Sequence, residues 1–284
     1  MEFVLLVIFV GKAYVFIFRI ILRGERILGK VIAVFNQKGG VGKTTTNVNL
    51  SACIAQEGKR VCVIDIDPQG NTTSGFGIDK KQLEYSIYDV LINDLPIEET
   101  IMHTDYENLD IVPSSAQLAG AEIELTTIQK RELRLKESIN RIRDNYDYIF
   151  IDCPPSLGLL TINSLAAVDS VLIPIQCEYY ALEGVSQLMN TIQLIKKSLN
   201  KDLEIQGVVL SMFDGRTNLS IQVVDEVKNY FKGKVYATII PRNVRLAEAP
   251  SFGQPIIYYD NKSKGAEAYT DLAVEFLDLE EDVI

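Results

Sequence analysis

Histidine is almost missing from this 284-residue chain. His103, the only one, lies in the polar stretch His103-Thr104-Asp105-Tyr106-Glu107, which argues against chemistry built on a histidine base. Cysteine is sparse too. The four present, Cys53, Cys62, Cys153 and Cys177, include no CxxC pair, so the spacing argues against a zinc site. Cys53 and Cys62 sit among apolar residues, as buried reduced thiols do, and nothing calls for an oxidising compartment. Positive charge is in deficit: 28 Lys and Arg stand against 38 Asp and Glu, a net charge of −10. Such a chain does not bind nucleic acid over its whole surface, so any DNA contact must come from a local basic patch. Internal repeats and low-complexity linkers are lacking as well. The length therefore fits one large α/β domain better than two small ones.

One segment departs from the rest. Residues 3–22 are almost all apolar, broken only by Lys12 and Arg19. That length can span a bilayer, but two charges at mid-membrane are costly, and no small-residue cleavage site follows as in a signal peptide. Arg23-Gly24-Glu25-Arg26 is what a purine-rich ribosome-binding site gives when read as codons, and Leu28 then stands at a TTG start. We therefore expect residues 1–29 to be an apolar extension, with translation starting at Leu28, and residues 30–284 to form one domain. A membrane role is expected only if residues 1–22 are made. N-terminal sequencing of the native protein tests this; a start at Met1 contradicts it.

From Lys30 onward strand and helix patterns alternate. Apolar runs over 31–35, 61–64, 109–113, 148–151, 171–175, 205–212 and 235–240 read as strands covered on both faces. Helices are expected over 44–56, ended by Gly58, and over 131–143, 182–199, 221–231 and 266–277. This alternation predicts a doubly wound, mostly parallel α/β sheet with helices on both faces. Ligands in such sheets sit at the carboxyl ends of the strands.

The strongest motif is Asn36-Gln37-Lys38-Gly39-Gly40-Val41-Gly42-Lys43-Thr44-Thr45. Glycines let successive backbone N–H groups point into one concavity, and the helix that follows favours a phosphate at its N-terminus. Lys38, Gly39, Gly40, Val41, Gly42 and Thr45 line that cradle, Lys43 reaches the β- and γ-phosphates, and Thr44 gives its hydroxyl to Mg2+. ATP and Mg2+ are the expected ligands. In Val63-Ile64-Asp65-Ile66-Asp67-Pro68-Gln69, two carboxylates leave one strand end on the same side, placed to meet Mg2+ or orient a water. A turn-forming Asp-Pro pair does not account for both. In Tyr148-Ile149-Phe150-Ile151-Asp152-Cys153-Pro154-Pro155-Ser156, Asp152 ends an apolar strand as a Walker B aspartate does, and would bind Mg2+ through water. Pro154-Pro155 stiffens a loop able to sense the γ-phosphate. The spacing of Thr238-Ile239-Ile240-Pro241-Arg242-Asn243-Val244-Arg245-Leu246-Ala247-Glu248 gives only a strand, then a loop.

Lys38, next to the first glycine, cannot easily fold back onto phosphates held by its own loop. Here the chain resembles the deviant-Walker P-loop ATPases. The resemblance implies an ATP-sandwich homodimer in which Lys38 reaches the partner's nucleotide. It implies a water-positioning role for Asp67 and a metal-shell role for Asp65. The Pro241–Arg245 region, Glu178-Tyr179-Tyr180-Ala181-Leu182-Glu183-Gly184 and Asp214-Gly215-Arg216-Thr217-Asn218 are similar to the partition-ATPase branch called ParA or Soj, over residues 30–277. That implies Pro241 and Asn243 against adenine, and Arg216 and Arg245 on non-specific DNA through phosphate contacts. It further implies a slow ATPase stimulated by a ParB-type centromere-binding protein, cytoplasmic, and nucleoid-associated when ATP-bound. Lys228, Lys232, Lys234, Lys262 and Lys264 either extend the basic patch or form a solvated face.

Three other readings use a similar P-loop. A membrane-cycling MinD-type ATPase ends in a basic amphipathic helix, whereas this chain's final stretch, Glu275-Phe276-Leu277-Asp278-Leu279-Glu280-Glu281-Asp282, is acidic. A nitrogenase-type iron protein needs two cluster cysteines, and only Cys153 has a matching context. A small-molecule synthetase needs an added substrate pocket, and no insertion is large enough to build one.

Overall fold

The computed structural model describes residues 7–10, 13–16, 28–178 and 184–281. Strands β1 (Val7–Val10) and β2 (Ala13–Phe16) pair antiparallel as a separate two-stranded sheet. Most of the apolar extension lies outside the described residues. Among the described residues no helix is long and apolar enough to cross a membrane.

The main sheet has eight strands: β3 (Lys30–Val34), β4 (Val61–Asp65), β5 (Met102–His103), β6 (Leu109–Val112), β7 (Tyr148–Asp152), β8 (Ser170–Gln176), β9 (Glu204–Phe213) and β10 (Val235–Pro241). Their order is β10-β9-β8-β3-β7-β4-β6-β5, and every pair is parallel except β5 with β6. The helices are α1 (Lys43–Gln56), α2 (Asn71–Gly75), α3 (Ile87–Ile92), α4 (Leu118–Glu124), α5 (Arg134–Ile142), α6 (Leu159–Ala167), α7 (Val185–Ser198), α8 (Asn218–Tyr230), α9 (Val244–Glu248), α10 (Ile256–Tyr259) and α11 (Lys264–Glu281).

Continuous apolar strands give two cores because side chains alternate across a sheet. Val31, Ala33 and Phe35 enter one core with Ile139 of α5, Leu188 of α7 and Val227 of α8. Ile32 and Val34 enter the other with Ile54 of α1 and Tyr269 and Phe276 of α11. Each valine, leucine, isoleucine or phenylalanine among them contributes roughly 1.5–3 kcal/mol on burial. The expected doubly wound sheet is what forms.

Two local departures have physical causes. The helix expected over 131–143 begins at Arg134, because Lys130 takes a left-handed φ of 52° and a turn follows. Asn163 of α6 then accepts from the Leu135 amide and donates to the Arg131 carbonyl. Pro174 stands inside a central strand, where proline normally breaks the ladder. Pairing with β3 ends at Val34–Leu172, and the Pro174 carbonyl beyond it accepts from Asn36 Nδ2 at 2.8 Å. The missing amide of Pro174 would point the same way, where no strand needs it.

Candidate functional site

The loop between β3 and α1 is built for phosphate. Asn36 fixes its start: the Lys38 amide donates to Asn36 Oδ1 at 3.0 Å. Gly40 and Gly42 hold φ of 73° and 91°, a region that side chains disfavour. Gly42 is the N-cap of α1 and supplies no side-chain hydrogen bond, so the first amides of the helix stay open to an anion. From β9, Ser211 Oγ donates to the Val41 carbonyl at 2.8 Å and braces the loop. Lys43 is 7% exposed, and its Nζ donates to the Lys38 carbonyl at 3.0 Å. Burial pulls its pKa down, against the opposing pull of Asp152 and Asp67. A cleft of about 550 Å³ opens here, lined by Gly39, Lys43, Thr44, Asp67, Pro155 and Met212, among others.

Three carboxylates stand behind and beside the loop. Parallel register puts Asp65 directly opposite Asp152 on the neighbouring strand. Asp152 is fully buried; its Oδ2 accepts from Thr44 Oγ1 and from Thr72 Oγ1, both at 2.8 Å. Its Oδ1 is buried with no hydrogen-bond partner. An orphaned carboxylate oxygen beside a threonine hydroxyl is the hard donor set that Mg2+ takes. Among the described residues no group of three or more His, Cys, Asp or Glu can hold a metal by itself, and Mg2+ in phosphoryl-transfer sites uses one or two carboxylates plus phosphates and water. Asp65 differs. Its Oδ2 accepts from the Thr73 amide and hydroxyl at 2.8 and 2.7 Å, and its Oδ1 from the Asp67 amide at 3.2 Å. Asp67, 9% exposed, lines the cleft; its Oδ1 accepts from the Gln69 amide at 2.9 Å.

Burial raises the carboxyl of Asp65 from 3.8 to about 6. Burial and then the Asp65 charge raise Asp152 from 3.8 to about 7. The folded chain thus holds these protons more tightly than the unfolded one between 3.8 and about 7, so their contribution to stability falls as pH rises through that window. Asp152→Asn is therefore expected to raise the melting temperature of the nucleotide-free chain, by more at about pH 8 than at about pH 5.5. Calorimetry at both pH values checks this. An increment independent of pH contradicts it.

The two arginines of the resemblance leave adjacent strand ends at the sheet's edge. Pro241 lies in register with Phe213, and the Arg242 amide donates to the Phe213 carbonyl at 2.9 Å. The Arg216 side chain is 87% exposed and grips Asp214 with two hydrogen bonds, at 2.8 and 2.7 Å. That partner pulls the Asp214 carboxyl down to about 2. Arg245 pairs with Glu248 at 2.8 Å and Asp260 at 3.4 Å. Asn243 caps α9, its Oδ1 accepting from the Arg245 amide at 2.8 Å. The lysines do not form one patch with them. Lys234 immediately precedes β10, whose seven residues at about 3.3 Å each separate it from Pro241. Lys232 lies at that far end too, whereas Lys262 lies within the Asp260–Ser263 turn near Arg245 and Lys264 directly follows it. Lys38, half-buried, lines a narrow gap with Val41, Ile175 and Val185. Residues 179–183, part of one matching stretch and the expected start of a helix, lie outside those described.

Sequence reasoning missed Thr72, Thr73, Ser114, Ser211 and Met212. The two threonines come one residue, Asn71, after the Asp67-Pro68-Gln69-Gly70 turn, and that placement beside two aspartates is a signal that was there to read. Ser114 and Ser211 come from other strand ends and belong to no spaced motif.

A family model described as an AAA domain matches residues 29–205. The chain is 63% identical over 248 residues to the sporulation initiation inhibitor protein Soj of Bacillus subtilis, covering 87% of this chain and 98% of that protein. It is 54% identical over 258 residues to the chromosome partitioning protein ParA of Myxococcus xanthus, covering 90% and 91%. Among solved structures, a cobyrinic acid a,c-diamide synthase from Mycobacterium smegmatis with bound ADP and magnesium is similar at 36% identity and a TM-score of 0.80, covering 90% of this chain and 97% of that one. The septum site-determining protein MinD from Pyrococcus horikoshii, with Mg-ADP, is similar at 26% identity and a TM-score of 0.76, covering 89% and 98%.

Proposed function

Because this chain belongs to the ParA/Soj family of P-loop ATPases, we propose that it is an ATP-gated, DNA-binding dimer that drives chromosome or plasmid partitioning. It binds ATP and Mg2+ and hydrolyses ATP. We take residues 30–284 as the ATPase domain. The loop amides and Lys43 hold the phosphates. Thr44, and Asp152 through water, would hold Mg2+, which neutralises phosphate charge. Asp67 places the attacking water. Pro241 and Asn243 flank the adenine. Arg216 and Arg245 hold DNA phosphates in the ATP-bound dimer, and a ParB-type partner stimulates hydrolysis, which opens the dimer and releases the chain from the nucleoid.

The observation that carries this reading is the rim of the phosphate loop. Gly39 is exposed, and nothing lies within 4 Å of where a side chain there would begin. Free space at that point, directly after Lys38, suits a second backbone pressed against the first. Gly39→Val should therefore fold and bind ATP as the parent does, yet stay monomeric with ATP and lose ATP-dependent DNA binding. Light scattering and DNA retention on the same sample check this. A valine variant that dimerises normally contradicts it.

The acidic end of α11, with no basic residue in its last turn, disfavours docking on anionic lipid in the MinD manner. The diamide synthase is a weaker guide, at 36% identity against 63% for Soj. ATP turnover without any small-molecule acceptor separates those two readings.

A further inference from the structure

Asp67 is fixed by groups that lie outside the phosphate loop. Its amide donates to Asp65 Oδ1 at 3.2 Å, and its carbonyl accepts from Ser114 Oγ at 2.7 Å and from the Gly70 amide at 2.9 Å. Both peptide groups around this residue are therefore clamped. One carboxylate oxygen, Oδ1, is taken by the Gln69 amide, which leaves Oδ2 for a ligand. The two clamps are joined to each other. Thr73 Oγ1 donates to Asp65 Oδ2 at 2.7 Å and accepts from the Ser114 amide at 2.9 Å. Asp65, Thr73 and Ser114 are each 0% exposed. A hydroxyl has one proton to give. Thr73 gives its proton to Asp65, and Ser114 gives its own to the Asp67 carbonyl, so the direction of every bond is set.

We propose that Asp65, Thr73 and Ser114 form a positioning relay that sets where the Asp67 carboxylate stands in the cleft. Asp65 acts through this relay and does not ligate the metal. The relay ties β4, α2 and the end of β6 to one catalytic side chain. Its three bonded members come from residues 65, 73 and 114, so a shift in any of those segments moves Asp67. A buried, fully directed network of this kind is stiff, and stiffness is what a water-placing group needs. The inference rests on the reading of Asp67 as the residue that places the water.

The test is single-turnover and steady-state ATP hydrolysis by the full chain, with melting temperatures alongside. The variants are Thr73→Val, Thr73→Ser, Ser114→Ala, Asp67→Ala and the double variant Thr73→Val with Asp67→Ala. Thr73→Val and Ser114→Ala should each lower kcat about tenfold, inside the roughly 10²-fold that a misplacement of about 1 Å can cost. KM for ATP should stay within about twofold, the mark of an interaction made in the transition state. Thr73→Ser should restore the parent kcat, and the double variant should be no slower than Asp67→Ala alone. Should Thr73→Val fail to fold, Ser114→Ala carries the test, because it leaves the Ser114 amide on Thr73. Parent-like kcat in Ser114→Ala, beside a slow Asp67→Ala, overturns the relay and leaves the Asp67 assignment standing. Additive losses in the double variant also overturn it. A parent-like Asp67→Ala overturns both.

Discussion

Asp67→Ala is expected to slow ATP hydrolysis by at least about 10²-fold, the lower end of what a positioned proton acceptor contributes, while ATP binding survives. Asp67 lines the cleft with Lys43 and Thr44 but makes no bond that holds the phosphate loop. Its side chain contributes one hydrogen bond, to the Gln69 amide two residues on. Truncation therefore removes a reactive group and a local turn contact, and leaves the cradle intact. In the proposed cycle hydrolysis opens the dimer, so the variant should accumulate on DNA in the presence of ATP. Single-turnover hydrolysis and DNA retention on one preparation check both halves. Hydrolysis at the parent rate contradicts the assignment.

Lys43→Ala should fail in the opposite way. Lys43 is the buried cation that faces Asp152 and Asp67, both of which favour its charged form. Its ammonium has three donors, and among the described residues only the Lys38 carbonyl is hydrogen-bonded to it. Phosphate oxygens are the natural partners for the rest. Loss of one charge-stabilising donor from such a site costs about 10²–10³-fold in turnover. Here the truncation also leaves a polyanion facing uncompensated carboxylates, so nucleotide affinity falls with it. Lys43→Ala should then show neither ATP-dependent dimer nor DNA binding, where Asp67→Ala shows both persistently. Nucleotide titration by fluorescence is the check. Parent-like affinity together with parent-like turnover contradicts the role.

Much of this site was legible in the sequence because it is made at strand ends. A strand buried on both faces shows as a continuous apolar run, and the residue that ends the run stands at the sheet's carboxyl edge. Asp65, Asp152 and the glycine loop announce themselves that way. The elements that escaped notice lack such a signature. α6 is buried almost all round, from Leu160 to Ala167, so no polar face marks a helical period. α2 and α9 have five residues each, too few to show one. β5 has two, both exposed. Ser114 was invisible for another reason: only the pairing of β4 with β6 brings it near Asp67, and strand order is not written in local spacing. In sequence the lysines beyond residue 225 could either extend the basic patch or form a solvated face. β10 divides them, since Lys234 lies at its start and Lys262 and Lys264 lie beyond its end.

The central claim is that ATP alone makes this acidic chain bind DNA. Exposed ion pairs contribute little and yield to competitors, so the Asp214 carboxylate that Arg216 now grips can give way to a DNA phosphate. The direct measurement is retention of the full chain on DNA of arbitrary sequence with ATP, with ADP and without nucleotide, at about 50 mM and about 200 mM salt. The account predicts binding with ATP only, falling steeply at the higher salt as counterion release requires. Binding that is the same in all three nucleotide conditions, or that ignores salt, would contradict it.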